Sequence, residues 1–159
     1  MTTTKIAIAP VTKTLIVNAA QAHAFDVFTA GIDRWWPRSH SLSPSPLVKS
    51  VIEPRLGGRW YTVHEDGNEC VVGHMLVWEP PSRLVFSWAI NAQWKPDAAI
   101  GSEVEVTFTP DGPNTTRLQL EHRKFEPLGQ EGGQRMRDGV GGPGGWGSIL
   151  ELFKAEAEH

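Results

Sequence analysis

The chain has 159 residues, 40% of them hydrophobic and 21% charged, with a formal net charge of −3. That is the length and balance of one globular domain with a substantial core, and the weak negative charge, with no basic cluster, argues against nucleic acid or an anionic membrane surface as a partner. Cys70 is the only cysteine, so an intrachain disulfide is excluded and a cysteine-based structural zinc site is not expected.

The opening MTTTKIAIAPVTK has no apolar signal region. Residues 1–10 read as a flexible N-terminus, and with no run of membrane-spanning length the expected location is the cytoplasm. Val11 to Asn18 is a β-branched run and predicts a first strand. Asn18 and Gln21 have the spacing of a capping box, and Ala22, Phe25 and Phe28 recur at helical spacing, which predicts a short helix over 20–29 that ends at Gly31. Asp33 caps a second, shorter helix through Trp36, stopped by Pro37. The Ser/Pro-rich stretch 38–46 predicts an ordered surface loop.

From Leu47 to His122 the chain reads as six strands: 47–53, 59–64, 69–78, 83–90, 102–109 and 115–122. Asp66-Gly67 carries the signal of a tight hairpin between the second and third of these. Val104, Val106 and Phe108 alternate with Glu103, Glu105 and Thr107, and Leu118 and Leu120 alternate with Gln119 and Glu121. Such alternation predicts an antiparallel sheet covered on one face only. A polar, glycine-rich connection follows, in which 134–140 predicts a short helix with Met136 and Val140 inward.

The last stretch organises the rest. Trp146, Ile149, Leu150, Phe153 and Ala157 recur at i, i+3, i+4, i+7 and i+11, the stripe of an amphipathic helix over 144–157. With no other layer available, that stripe has to pack on the sheet. Gly142, Gly144 and Gly147 also spell G-x-G-x-x-G, but neither the flanking strands nor a downstream acidic residue of a dinucleotide site is present. The glycines read instead as a hinge, with Pro143 in the first turn of the helix.

Period-2 geometry puts Cys70, Val72, His74, Leu76 and Trp78 on one face of their strand. His64 across the hairpin would complete a Cys/His/His group, but the spacing matches no metal motif, so neither a metal nor a cofactor is expected. No G-x-S-x-G elbow or zinc-protease pattern is present, and no catalytic residue is assigned. Seven tryptophans against one tyrosine are the stronger signal, because indoles in this number furnish a bulky core or an aromatic-lined pocket. Trp35 and Trp36 at the helix edge, Trp60, Phe86 and Trp88 on the sheet, and Trp146 and Leu150 on the last helix are the candidate ligand contacts. Met136 is the side chain able to fill the space, while Arg59 and His74 are the polar groups expected to orient a ligand.

The order strand, two short helices, six-strand meander and C-terminal helix resembles the START-like (SRPBCC) superfamily. More closely the chain is similar to the activator of heat-shock-protein-90 ATPase homologue-like family, in its bacterial single-domain form. The residues that carry this likeness are Ile16 to Thr29, Trp35-Trp36, LGGRW at 56–60, GHMLVWEPPSRLVFSW at 73–88, TRLQLEH at 116–122 and GWGSILELF at 145–153. The resemblance implies one α+β helix-grip domain over 1–159, its curved antiparallel sheet wrapped round the C-terminal helix, with a cavity between them for an apolar or aromatic small molecule. The expected function is non-catalytic binding of that molecule as a carrier, sensor or stress-related protein. The alternatives are a cyclase- or dehydratase-like enzyme using the same cavity, and a homodimeric or chaperone-associated interaction module. Stimulation of the chaperone ATPase is not expected, because the accessory domain of the eukaryotic co-chaperones has no counterpart here.

Overall fold

In the computed structural model, residues 8–99 and 101–159 are described. The element order is β1 (Val11–Val17), α1 (Gln21–Phe28), a 3₁₀ turn (Ile32–Arg34), β2 (Leu47–Ile52), β3 (Arg59–His64), β4 (Glu69–Glu79), β5 (Arg83–Trp88), β6 (Ser102–Pro110), β7 (Thr116–Arg123), a second 3₁₀ turn (Glu126–Leu128), α2 (Gln130–Gly141) and α3 (Trp146–Ala157). The strands form one antiparallel sheet in the order β1-β7-β6-β5-β4-β3-β2. β1 crosses from the first position in the chain to pair with the last strand, and the rest is a meander. The sheet curls round the C-terminal helical segment, which is bent between α2 and α3. This is an α+β helix-grip fold.

β6 and β7 show the alternation their sequences demand. Val104, Val106, Phe108, Leu118 and Leu120 are buried in the core, while their neighbours Glu103, Glu105, Gln119 and Glu121 face outward. On that outer face Glu105 is hydrogen-bonded by Arg83 and by Arg123, which hold its carboxyl below the usual carboxylate range, Arg83 most. The α3 stripe is buried as its spacing requires, and Phe153 meets Phe28 of α1 edge-on at 5.3 Å and Trp35 at 5.4 Å.

Several expectations need correction. Asn18 does not cap α1. The N-cap is Ala20, without a side-chain bond. The Asn18 backbone N–H donates instead to Glu158 Oε2 at 2.7 Å, and Gln21 Nε2 donates to the Phe108 carbonyl at 2.7 Å, so both residues fasten α1 to other elements. The short helix expected over 134–140 starts four residues earlier. Its glycines hid it, and Gly133 is there because a Cβ would stand 2.5 Å from the Phe125 carbonyl oxygen. Pro143 lies between the helices rather than inside the last one, which begins at Trp146 with Gly145 as N-cap. Of the N-terminal stretch expected to be flexible, residues 1–7 lie outside the described residues. Ile8 is buried in the core and the Ala9 carbonyl accepts from Arg137 Nε at 3.0 Å, so the chain is already tied down there.

The largest correction concerns β4. Two bulges interrupt it, with Val72 as the extra residue against β3 and Leu76 as the extra residue against β5. Each bulge moves the following side chains to the other face. Cys70 and Val72 start on the inner side, Met75 takes the inner place expected for His74, and Trp78 returns to the inner side against Phe25 at 5.3 Å. Gly73 permits the irregular approach to β5, because a Cβ there would stand 1.6 Å from the Ser87 carbonyl oxygen.

Candidate functional site: an indole-walled cavity under the helix bend

Between the inner face of the sheet and the α2–α3 bend lies a cavity of about 440 Å³. The sheet supplies Thr62, Val72 and Trp88, and the helical side supplies Val140, Trp146 and Ile149. Trp36, His40, Trp94 and Gly144 complete its rim. Apolar and aromatic side chains dominate, and the polar groups are few, as in pockets for small organic ligands.

The predicted contacts divide into four groups. Trp36, Trp88 and Trp146 line the cavity. Trp60 and Phe86 stand behind them: Trp60 meets Trp36 edge-on at 4.8 Å, Phe86 at 5.1 Å and Trp88 at 5.8 Å. Trp35, Met136 and Leu150 are core residues outside the wall. Trp35 spends its indole N–H on the Val27 carbonyl at 2.8 Å, and Met136 is fully buried without filling the cavity. Arg59 and His74 are not brought to the cavity at all. They are register partners on the outer face, where Arg59 pairs with Glu53 and Glu69 and lies over Tyr61 at 4.3 Å. His74 is exposed beside Leu76 and Ser87. Arg59 faces outward by simple alternation with the buried Trp60, and the β4 bulge turns His74 to that same outer face and separates it from Cys70 and His64.

The polar groups that do reach the cavity come from elsewhere. His40, in the Ser/Pro-rich loop, donates from Nε2 to the Gly144 carbonyl at 2.7 Å and faces Ser39 Oγ across Nδ1 at 3.2 Å. It ties the loop to the helix bend. On β3, Thr62 donates its hydroxyl to His64 Nε2 at 2.9 Å, because the His64 Nδ1–H is given to the Ser45 carbonyl at 3.1 Å. Behind Trp146 a third chain runs inward. The indole N–H donates to His122 Nδ1 at 2.9 Å, which puts the imidazole proton on Nε2, and that donates to Ser102 Oγ at 2.6 Å. Burial pushes the His122 imidazole down to about 3, so it is neutral across the physiological range.

Trp94 was missed by sequence reasoning because its position depends on one backbone angle. It has φ 60°, rare for a bulky residue. Asn91 enforces this: its side-chain oxygen accepts from Gln93 N at 3.0 Å and Lys95 N at 3.1 Å, and its carbonyl accepts from Trp94 N at 2.9 Å. The ring is laid on Gly139 of α2, where a Cβ would stand 2.5 Å from Trp94 Cζ2. Four indoles (Trp36, Trp88, Trp94 and Trp146) thus bound the cavity from four different segments.

Comparison with solved structures finds this architecture repeatedly. A structure described as the anthrahydroquino-Gama-pyrone synthase Txn09, complexed with SUM, is 36% identical, covering 94% of this chain and 97% of its own, with a TM-score of 0.65. The self-sacrificing resistance protein CalC from Micromonospora echinospora is 29% identical, covering 93% of each chain, with a TM-score of 0.68. Protein NE0264 from Nitrosomonas europaea, 19% identical over 93% of each chain with a TM-score of 0.65, shares the fold. The comparison with curated proteins found no match. Among the described residues no helix is long and apolar enough to cross a membrane. A family model matches residues 18–158, from the end of β1 to the end of α3, and the chain belongs to the family of Activator of Hsp90 ATPase homolog 1-like proteins.

Proposed function

We propose that this protein binds a planar aromatic small molecule in the cavity under the helix bend, and that binding without chemical change is its activity. The observation that carries the reading is the convergence of four indoles on a space of about 440 Å³. A fused two- or three-ring compound fits that volume, and flat aromatic walls favour it over a flexible aliphatic chain of equal size. The polar groups at the cavity are engaged with one another: His40 with Gly144, Thr62 with His64. Two relatives support the direction. The name of one describes a synthase of an anthrahydroquino-pyrone, a fused aromatic product, and that of the other a resistance protein.

The first of those relatives favours a second reading, catalysis on the same class of compound. His40 is the imidazole in the wall, and it would be the group to move a proton. One experiment separates the readings. Titration of fluorene, 9-fluorenone and 1,8-dihydroxyanthraquinone is followed by tryptophan fluorescence, and each compound is weighed by mass spectrometry after incubation. Saturable quenching with recovery of the unaltered compound is the expected result. A changed mass that disappears in His40→Gln would replace binding with catalysis, and absence of saturable binding by all three would overturn both.

A further inference from the structure

Three of the five buried indoles donate to acceptors, while Trp36 and Trp88, both on the cavity wall, have none among the described residues, and of these two only the Trp88 nitrogen is also shut off from solvent. Trp35 Nε1 donates to the Val27 carbonyl, Trp60 Nε1 to Ser50 Oγ at 2.8 Å, and Trp146 Nε1 to His122 Nδ1. Trp88 is 5% exposed, and its Nε1 is the one buried side-chain nitrogen or oxygen among the described residues without a hydrogen-bond partner. Native structures rarely leave such a donor idle, because its desolvation is not compensated. Its surroundings explain why the protein does not satisfy it. The ring stands edge-on to His122 at 5.4 Å, Trp146 at 5.5 Å and Trp60 at 5.8 Å. The one acceptor atom in that group of rings, His122 Nδ1, is already taken by Trp146, and the other imidazole nitrogen carries the proton given to Ser102.

We infer that the Trp88 indole N–H is the recognition donor of the cavity, and that its ligand is an aromatic compound bearing an acceptor oxygen, such as an aryl ketone or quinone, rather than an aromatic hydrocarbon. The inference rests on the binding reading above and narrows its ligand class. A carbonyl in the plane of a fused ring system can accept from an indole N–H while the ring faces remain against Trp36 and Trp146. The nitrogen is covered in this structure, so the surrounding rings have to give way slightly as the oxygen approaches. That keeps the donor from being spent on solvent. The neighbouring Thr62 hydroxyl cannot substitute for it, because its proton is committed to His64.

9-Fluorenone and fluorene test this, since they share one ring skeleton and differ by the carbonyl. Calorimetric dissociation constants are measured for both with the unaltered protein and with Trp88→Phe, which keeps an aromatic wall and deletes the N–H. The fluorenone preference is expected to fall about 5- to 10-fold in the variant, the size of one neutral hydrogen bond. In parallel, the indole N–H proton resonance of Trp88 in the unaltered protein is expected to move downfield with fluorenone and not with fluorene. This readout stands even where Trp88→Phe fails to fold. An unchanged preference in the variant, or a Trp88 resonance that responds equally to both compounds, overturns the inference and leaves the binding reading intact; the latter result would mean the N–H is directed at a neighbouring ring face. Failure of fluorenone to bind the unaltered protein overturns the inference, and failure of 1,8-dihydroxyanthraquinone and fluorene as well takes down the binding reading with it.

Discussion

At the scale of single residues, His122 links the cavity wall to the stability of the fold. It is fully buried, holds the Trp146 indole in place, and is pushed down to about 3 by desolvation. In the unfolded chain an imidazole titrates near 6.5. Between those values the unfolded state takes up a proton that the folded state refuses, so stability is complete above pH 6.5 and is lost as pH falls toward 3. Well below 6.5 this one group removes about 1.4 kcal/mol per pH unit. Urea unfolding at pH 7.5, 6.0 and 5.0 should show that slope, and His122→Gln, which does not titrate, should show a shallower one. Equal slopes in the two proteins would mean that other groups govern the acid sensitivity. None of this was legible in the sequence, where His122 reads only as the end of an alternating strand. Its burial depends on β7 pairing between β1 and β6 and on Trp146 arriving from 24 residues downstream.

At the scale of elements, the parts with an undisturbed period were the legible ones. β6, β7 and the α3 stripe announce their inner faces because nothing interrupts the alternation or the 3.6 repeat. β4 does not, because Val72 and Leu76 are extra residues and a bulge leaves no mark in the hydrophobic pattern beyond Gly73. That is why His74 was expected in a cavity it does not reach, whereas Arg59, alternating with the buried Trp60 on β3, faces outward without any bulge. The α3 stripe makes a direct prediction: Phe153→Ala, which empties a fully buried aromatic site between Phe28 and Trp35, should cost about 3–5 kcal/mol in urea unfolding. A loss under about 1 kcal/mol would remove Phe153 from the core. The bend before α3 makes a second. Gly144 has φ 78° with open space where a Cβ would stand, so Gly144→Ala should cost only the left-handed backbone penalty of about 1–2 kcal/mol. Gly145 has ordinary backbone angles, but a Cβ would stand 2.1 Å from the Val140 carbonyl oxygen. Gly145→Ala should therefore cost more than Gly144→Ala and should weaken fluorenone binding by opening the bend. The reverse order would show that backbone conformation, not close contact, sets the hinge.

At the scale of the whole molecule, the cavity is where separate segments meet, and this explains how little of it could be read from the chain. The indole count pointed to an aromatic pocket, and Trp36, Trp88 and Trp146 belong to its wall. Trp94 and His40 come from loops whose courses are set by Asn91 and by the Gly144 carbonyl, through contacts that no periodicity encodes. The same construction has a thermodynamic consequence. The wall draws on the 39–42 loop, three strands, the loop carrying Trp94 and both C-terminal helices, so a ligand that enters it touches all of these segments at once. A compound that binds the folded chain alone stabilises it by RT ln(1 + [L]/Kd), about 2.7 kcal/mol at a hundredfold excess over Kd. For a domain of this size that is roughly 5–10 °C in Tm. Fluorenone at that excess should raise Tm by this amount. It should also slow amide hydrogen exchange in the 39–42 loop, around Trp94 and through residues 139–145, while leaving β1 unchanged apart from the global shift. These three segments are the rim, where His40 and Trp94 make their few contacts with the helix bend, and local opening there has the least packing to overcome. Slowed exchange confined to the outer face around His74 and Ala98 would place the ligand in the groove beside β4 and would remove the indole-walled cavity from the argument.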